Sequence, residues 1–206
     1  MMKLYYEKGT CALASHIALE EAGAEYSTVK VRFATQEQRS PEYLGINPKG
    51  RVPSLATDRG ILTETPAMLA FIAQSFPKAK LAPIDDPFGF AEVQAFNSYL
   101  CSTVHVAHAH RPRGSRWADD PAALEAMKRK VPETITACFD LIEGKMFRGP
   151  WVMGDSYTIC DPYLFTLTGW LESDGVDPAR FPKVKAHHER MAERPAVRKV
   201  LAAEKA

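Results

Sequence analysis

At 206 residues, with 46% hydrophobic and 25% charged residues and a formal net charge of +1, the chain has the composition of one large or two small globular domains. The near balance of charge excludes a basic nucleic-acid surface and an acidic solvating tail, and no apolar run approaches the ~18 residues of a bilayer span. Met1 to Lys8 holds no signal-peptide apolar core, and Cys11, Cys101, Cys138 and Cys160 are too widely spaced for a C-x-x-C or zinc pairing, so reduced thiols and a cytoplasmic setting are expected.

Lys3 to Tyr6 is short, aromatic and β-prone, and Gly9-Thr10 breaks it. Ala12 to Ala22, with Leu13, Ile17 and Leu19 among alanines and Gly23 behind, predicts a helix. Tyr26 to Val31 is β-branched and alternating, and the order strand–helix–strand predicts a parallel βαβ unit. Arg32 to Gly45 is polar and predicts a loop with one helical turn. Asn47-Pro48-Lys49-Gly50 is a turn signal running into Arg51-Val52-Pro53. Val52 to Ala56 and Gly60 to Leu62 flank Thr57-Asp58-Arg59 as a hairpin, and Glu64-Thr65-Pro66 opens a helix carrying Met68, Leu69, Phe71 and Ile72. Phe76 to Pro87 holds three prolines and reads as a linker; everything beyond it is helical in pattern. Phe88 to about Ala109 is one long helix, and Asp119-Asp120-Pro121 starts another that runs to about Glu143 and should bend at Pro132. Thr158-x-x-Asp161 has capping-box spacing, and two shorter helices near Lys183–Ala192 and Ala196–Ala203 finish the chain.

Four groups of residues suggest chemistry, each with a plainer alternative. A cis Val52-Pro53 bond would leave the Val52 N–H and C=O beside the sheet, able to capture a peptide-like ligand by strand-style pairing; in trans the stretch is a Pro-capped strand. Cys11 starts a helix, where partial positive charge favours a thiolate able to attack or to form a mixed disulfide, although a lone Cys is commonly a buried structural residue. Glu64-Thr65 offers a hydroxyl and N–H groups at a helix start, suited to a carboxylate ligand or to simple capping. His105, His108 and His110 cluster, but no Cys or carboxylate stands at ligand spacing and Arg111 and Arg113 oppose a cation, so no metal is expected. A single His at the thiol site, as hydrogen-bond partner or base, fits better, with the Tyr6 phenol near the same spot; both are equally readable as packed core residues.

These signals coincide over essentially the whole length in a chain that resembles the cytosolic glutathione S-transferases, most closely the bacterial beta class. The markers are Lys3-Leu4-Tyr5-Tyr6, Gly9-Thr10-Cys11, Asn47-Pro48-Lys49-Gly50-Arg51-Val52-Pro53, Thr63-Glu64-Thr65, Gly154-Asp155 with Thr158-x-x-Asp161, and Met191-Ala192-Glu193-Arg194-Pro195. The resemblance implies an α+β thioredoxin-like N-terminal domain over residues 1–77, a linker over 78–87 and an all-α helical domain over 88–206, assembled as a homodimer. It implies a transferase conjugating the glutathione thiolate to small electrophiles, with monothiol disulfide exchange through Cys11 open as a second route. A glutathione- or hydrophobic-ligand-binding protein with little catalysis is the alternative. Cys11, His105 and Tyr6 are the implied catalytic residues. Thr10, Arg51, Val52, Pro53, Glu64, Thr65, Ser98 and Ser102 are the implied glutathione contacts: Val52 pairs with the cysteinyl backbone, and Glu64 and Thr65 hold the γ-glutamyl end. Glutathione is a co-substrate, no other cofactor is implied, and the partners are glutathione, a small electrophilic or apolar substrate and a second copy of the chain, with neither nucleic acid nor membrane. The chain departs from the pattern at Thr65 (for Ser), Glu7-Lys8, Val106 and the lysine-free Phe33–Gln36 segment, which implies weaker glutathione affinity.

Overall fold

A computed structural model describes residues 1–205, which form two compact units: residues 1–91 with 192–205, and residues 92–191. In the first, β1 (Met2–Tyr6), α1 (Ala12–Glu21), β2 (Tyr26–Lys30), α2 (Pro41–Ile46), β3 (Ser54–Thr57), β4 (Gly60–Thr63) and α3 (Thr65–Ser75) follow in order. The sheet order is β2-β1-β3-β4. β1 and β2 are parallel, as the βαβ order predicts, and β3 and β4 add antiparallel. Period-two alternation sets the inner face: Leu4 and Leu55, paired across β1 and β3, have no exposed surface, whereas Lys3 points out.

Against that face pack α1 and α3, with Ile17, Leu19, Met68, Leu69 and Ile72 all fully buried. Leu13 and Phe71, expected on the same faces, are only half-buried. α1 is buried nearly all round, from Ala12 through Leu19 apart from Leu13, because its alanines let neighbours approach from more than one side. One of those neighbours is the last helix, α9 (Pro195–Lys205), which returns to α1 through Arg194 to Glu21 at 2.5 and 2.7 Å, Lys199 to Glu20 at 2.6 Å and the buried pair His16–Glu204 at 3.0 Å. The polar stretch before Gly45 holds a single 3-10 turn, Glu37–Arg39, and the short helix α2 rather than an open loop. Ser40 caps α2 by accepting from the Tyr43 N–H, and Pro41 stands at its first turn.

In the second unit the Phe88–Ala109 pattern is helical throughout but not uniform. α4 (Pro87–Tyr99, its first residues in the first unit) passes through a π-helical turn, Leu100–Val104, into α5 (His105–Ala109). Asp120 caps α6 (Pro121–Leu141), accepting from the Ala122 and Ala123 N–H groups at 3.2 Å, and the helix carries on through Pro132. α7 (Cys160–Thr168) and α8 (Pro182–Glu193) complete the unit. The expected capping box exists in modified form: the Asp161 carboxylate reaches back to the Thr158 N–H at 2.6 Å, while the Thr158 hydroxyl accepts from the Cys160 N–H at 3.3 Å, one position early, and the Asp161 N–H goes to the Thr158 carbonyl at 3.0 Å. Asp161, fully buried, also accepts from the Val152 N–H and from His187 Nε2, each at 2.9 Å, and so joins α7, the preceding loop and α8. Among the described residues no helix is long and apolar enough to cross a membrane.

Candidate functional site

Strand register gathers the first unit's signals at one end of the sheet. Ser54 pairs with Tyr5 on β1 and with Thr63 on β4. The residues just before Ser54, just after Thr63 and just after Tyr5 therefore converge: Arg51-Val52-Pro53, Glu64-Thr65, and Tyr6 with the loop to Cys11.

That loop is wound by its own side chains. Thr10 Oγ1 donates to the Glu7 carbonyl at 2.6 Å and accepts from the Ala12 N–H at 3.3 Å, so the first turn of α1 is already formed at Thr10. Glu7, at one of the departures from the family pattern, accepts from the Phe33 N–H at 2.9 Å and ties the loop to the chain beyond β2. Cys11 occupies the N-cap position of α1, and its thiol lies 3.7 Å from the Val52 carbonyl oxygen.

The Val52-Pro53 bond is cis. Val52 is 9% exposed, and among the described residues nothing accepts from its N–H. Its position is set by a buried network beneath it. Asn47 Nδ2 and the Tyr43 hydroxyl both donate to the Arg51 carbonyl at 2.7 Å, and both reach Ser54 Oγ, at 3.1 and 3.0 Å. Asn47 Oδ1 takes the Lys49 N–H at 3.1 Å, closing the turn. Gly50 is required there: its φ is +59°, and a Cβ would come within 2.8 Å of Arg39 Nη1 and 2.9 Å of the Gln38 carbonyl. Tyr43 and Ser54 carry no motif signal of their own; an aromatic residue in an otherwise polar stretch is the hint that the sequence holds. The Arg51 side chain itself is exposed.

Glu64 stands before α3 at φ +73°, ψ 119°, an uncommon conformation for a residue with a side chain, and makes no cap hydrogen bond. Its carboxylate is turned instead to Lys49 Nζ at 2.6 Å, which also donates to Thr63 Oγ1 at 2.6 Å. Thr65 is 4% exposed and, among the described residues, nothing accepts from its N–H. Tyr6 is 8% exposed, with its ring 5.5 Å from that of His16. Burial, and then the carboxylates of Glu204 and Glu7, raise its phenol above the ordinary value, so near neutral pH it is a neutral hydroxyl.

Ser98, Ser102 and His105 belong to the second unit. Ser98 and Ser102 are exposed, with Ser102 Oγ donating to the Ser98 carbonyl at 2.8 Å across the π-helical turn. The three histidines part company. His105 rests edge-on against Trp170 at 5.1 Å, His108 stacks on the same indole at 4.3 Å, and His110 stacks on Trp117 at 4.3 Å. Among the described residues no group of His, Cys, Asp and Glu is placed to hold a metal ion.

The site thus pairs a thiol at a helix start with a cis-Pro backbone and an acidic residue at a second helix start. Family models for the N-terminal and C-terminal domains of glutathione S-transferases match residues 2–74 and 96–195. Glutathione S-transferase GstA of Escherichia coli O157:H7 is 32% identical over 98% of both chains. A glutathione transferase homolog from Sulfitobacter, solved with bound glutathione, has 47% identity and a TM-score of 0.95 over 98% of both chains. The bacterial beta class enzyme of Sphingomonas chungbukensis has 33% identity and a TM-score of 0.85, again over 98% of both chains. A thioredoxin-like sheet followed by a helical unit, whole-length relatives and both family models agree: the chain belongs to the glutathione S-transferase family.

Proposed function

We propose that this transferase binds glutathione along the sheet end formed by Val52, Glu64 and Thr65, conjugates its thiolate to small electrophiles, and exchanges disulfides through Cys11. The observation that carries the reading is the N–H of nearly buried Val52, from which nothing accepts among the described residues, beside a thiol 3.7 Å from the same residue's carbonyl. A peptide backbone laid against Val52 makes strand-type hydrogen bonds there. Glu64 then takes the α-ammonium of the γ-glutamyl end, displacing Lys49, and the Thr65 hydroxyl and N–H take the adjoining carboxylate. Thr10 and Arg51 act through backbone placement, and Ser98, Ser102 and His105 stand in the proposal on the family resemblance alone. Tyr6 serves as a neutral hydroxyl.

In conjugation the glutathione thiol loses its proton to solvent, the thiolate attacks the electrophilic carbon, and the new C–S bond forms as the leaving group departs with its electron pair. Oriented donors around the sulfur stabilise the thiolate with little reorganisation. In exchange the Cys11 thiolate attacks the glutathione sulfur of a glutathione-containing mixed disulfide, releases the other half as its thiolate and leaves Cys11 joined to glutathione. A second glutathione thiolate then attacks that bond, which frees the Cys11 thiolate and leaves as oxidised glutathione. We place the glutathione domain at residues 1–77 and the helical domain at 88–206, in a cytoplasmic homodimer that needs no cofactor beyond glutathione.

The test is mass spectrometry after incubation with oxidised glutathione, together with conjugation of an aryl halide. The expected result is one reductant-labile glutathione adduct on Cys11, with Cys11→Ala losing exchange and keeping much of the conjugation. Equal loss of both activities would refute the division of roles.

A further inference from the structure

Glu64 is an acid at a helix start that does not cap its helix. A side chain in that place ordinarily accepts from the second or third N–H of the helix. Glu64 makes no such bond, and its backbone sits at φ +73°, ψ 119°, a costly region for a residue with a Cβ. The surrounding chain holds it there: the Glu64 carbonyl takes the Met68 N–H at 3.0 Å, and Thr63, just before it, is paired with Ser54 across β3 and β4. The carboxylate points clear of α3 and meets the Lys49 ammonium at 2.6 Å, and the same ammonium donates to the Thr63 hydroxyl at 2.6 Å.

Lys49 is fixed at its base. Its N–H donates to Asn47 Oδ1 at 3.1 Å, the Gly50 N–H donates to the Asn47 carbonyl at 2.8 Å, and Asn47 itself is buried. The turn therefore decides where the lysine starts, and its flexible stem spans the distance to the end of β4. Its tip is held only loosely. The Lys49 and Glu64 side chains are 42% and 55% exposed, and a solvent-facing ion pair of long side chains is only slightly favoured over its open form. Thr63 Oγ1 and the Glu64 carboxylate thus form a cradle for a primary ammonium, and the chain fills it with one of its own.

We propose that Lys49 is an internal competitor for the α-ammonium of the γ-glutamyl end, and that it sets both the affinity for glutathione and the tolerance of ligands lacking that amine. The inference rests on the place given to Glu64 in the glutathione site and deepens it. A ligand that brings the amine must displace Lys49, so its apparent affinity is reduced by the fraction of molecules in which Glu64 is free. A ligand without the amine leaves Lys49 in the cradle, and Glu64 stays paired. Specificity is a difference of affinities, so the lysine narrows the gap between the two ligands. Removing it helps the first and leaves the second facing an unpaired carboxylate.

The test is calorimetry of the full chain with two peptides: glutathione, and glutaryl-cysteinylglycine, which is glutathione without its α-amino group. Lys49→Met keeps the stem and removes the charge, whereas Lys49→Arg keeps a cation. The expected result is that Lys49→Met binds glutathione about threefold more tightly, within what an exposed ion pair can withhold. It binds the glutaryl peptide no more tightly than the parent does. Lys49→Arg stays within about twofold of the parent for both peptides. In steady-state conjugation the KM for glutathione falls in Lys49→Met with kcat unchanged, the mark of a change in binding alone. In a Glu64→Gln background, which itself binds glutathione more weakly, Lys49→Met adds little, because the two residues act through one contact. Parental or weaker glutathione binding by Lys49→Met, or equal tightening of both peptides, would overturn the proposal. Parental affinity in Glu64→Gln alone would instead remove Glu64 from the site, and the proposal with it.

Discussion

Asn47 is the residue whose replacement tests most directly how the cis-Pro segment is held. It is 1% exposed, and its amide makes three hydrogen bonds: to the Arg51 carbonyl at 2.7 Å, to Ser54 Oγ at 3.1 Å and from the Lys49 N–H at 3.1 Å. In Asn47→Ala the Arg51 carbonyl and Ser54 keep the Tyr43 hydroxyl, and the Lys49 N–H is near enough to the surface to find water. Two inner hydrogen bonds at about 1 kcal/mol each, with a small cavity added, give an expected loss of about 2–3 kcal/mol. Urea denaturation at fixed protein concentration should show the midpoint fall with little change in slope. Calorimetry on the folded variant should show glutathione binding weakened roughly tenfold, about 1.4 kcal/mol, because the loosened turn carries Val52. Tyr43→Phe should behave alike, and the two together should be non-additive, since they share the Arg51 carbonyl and Ser54. A loss under about 1 kcal/mol, or an unstable variant that binds glutathione with parental affinity, would refute the view that this network positions the binding backbone.

Glu64→Ala should leave unfolding nearly unchanged, because its side chain is 55% exposed and its ion pair with Lys49 is of the weak surface kind, while calorimetry should show glutathione affinity reduced. Unchanged affinity would remove Glu64 from the site. Asp161→Ala should be severe, about 3–5 kcal/mol by denaturation, because the N–H groups of Val152 and Thr158 and the ring of His187 would be left buried without their acceptor; a mild effect would show that the cap is dispensable. His188, stacked on Phe165 at 4.4 Å, has its imidazole pushed below 6.5 by burial first and then by the charge of His187. Below about pH 6.5 the unfolded chain takes up a proton that the folded chain refuses, so this contribution to stability is full above that pH and is lost as pH falls toward the lower folded value. His188→Phe should flatten the fall in denaturation midpoint between about pH 7.5 and pH 5; parallel pH curves for parent and variant would count against it.

Elements whose signals are local can be read from the residues alone. Alternation in Lys3–Tyr6, the turn chemistry of Asn47–Gly50, Pro53 at the head of a strand and the acids before Pro121 all act within a few residues, and each stands in the structure where periodicity and capping place it. The position of Cys11 at a helix start was legible for the same reason. Tertiary structure decided the partners. Tyr43 and Ser54 meet only because α2 packs under the turn, Glu64 meets Lys49 across 15 residues, and His108 meets Asp174 across 66. The return of α9 to α1, sealed by His16 and Glu204 across 188 residues, is likewise absent from any local pattern. Side-chain hydrogen bonds of this range depend on which surfaces are brought into contact. A helix pattern states that His105 and His108 share a face, but not that a tryptophan and a buried carboxylate will be waiting on the other side.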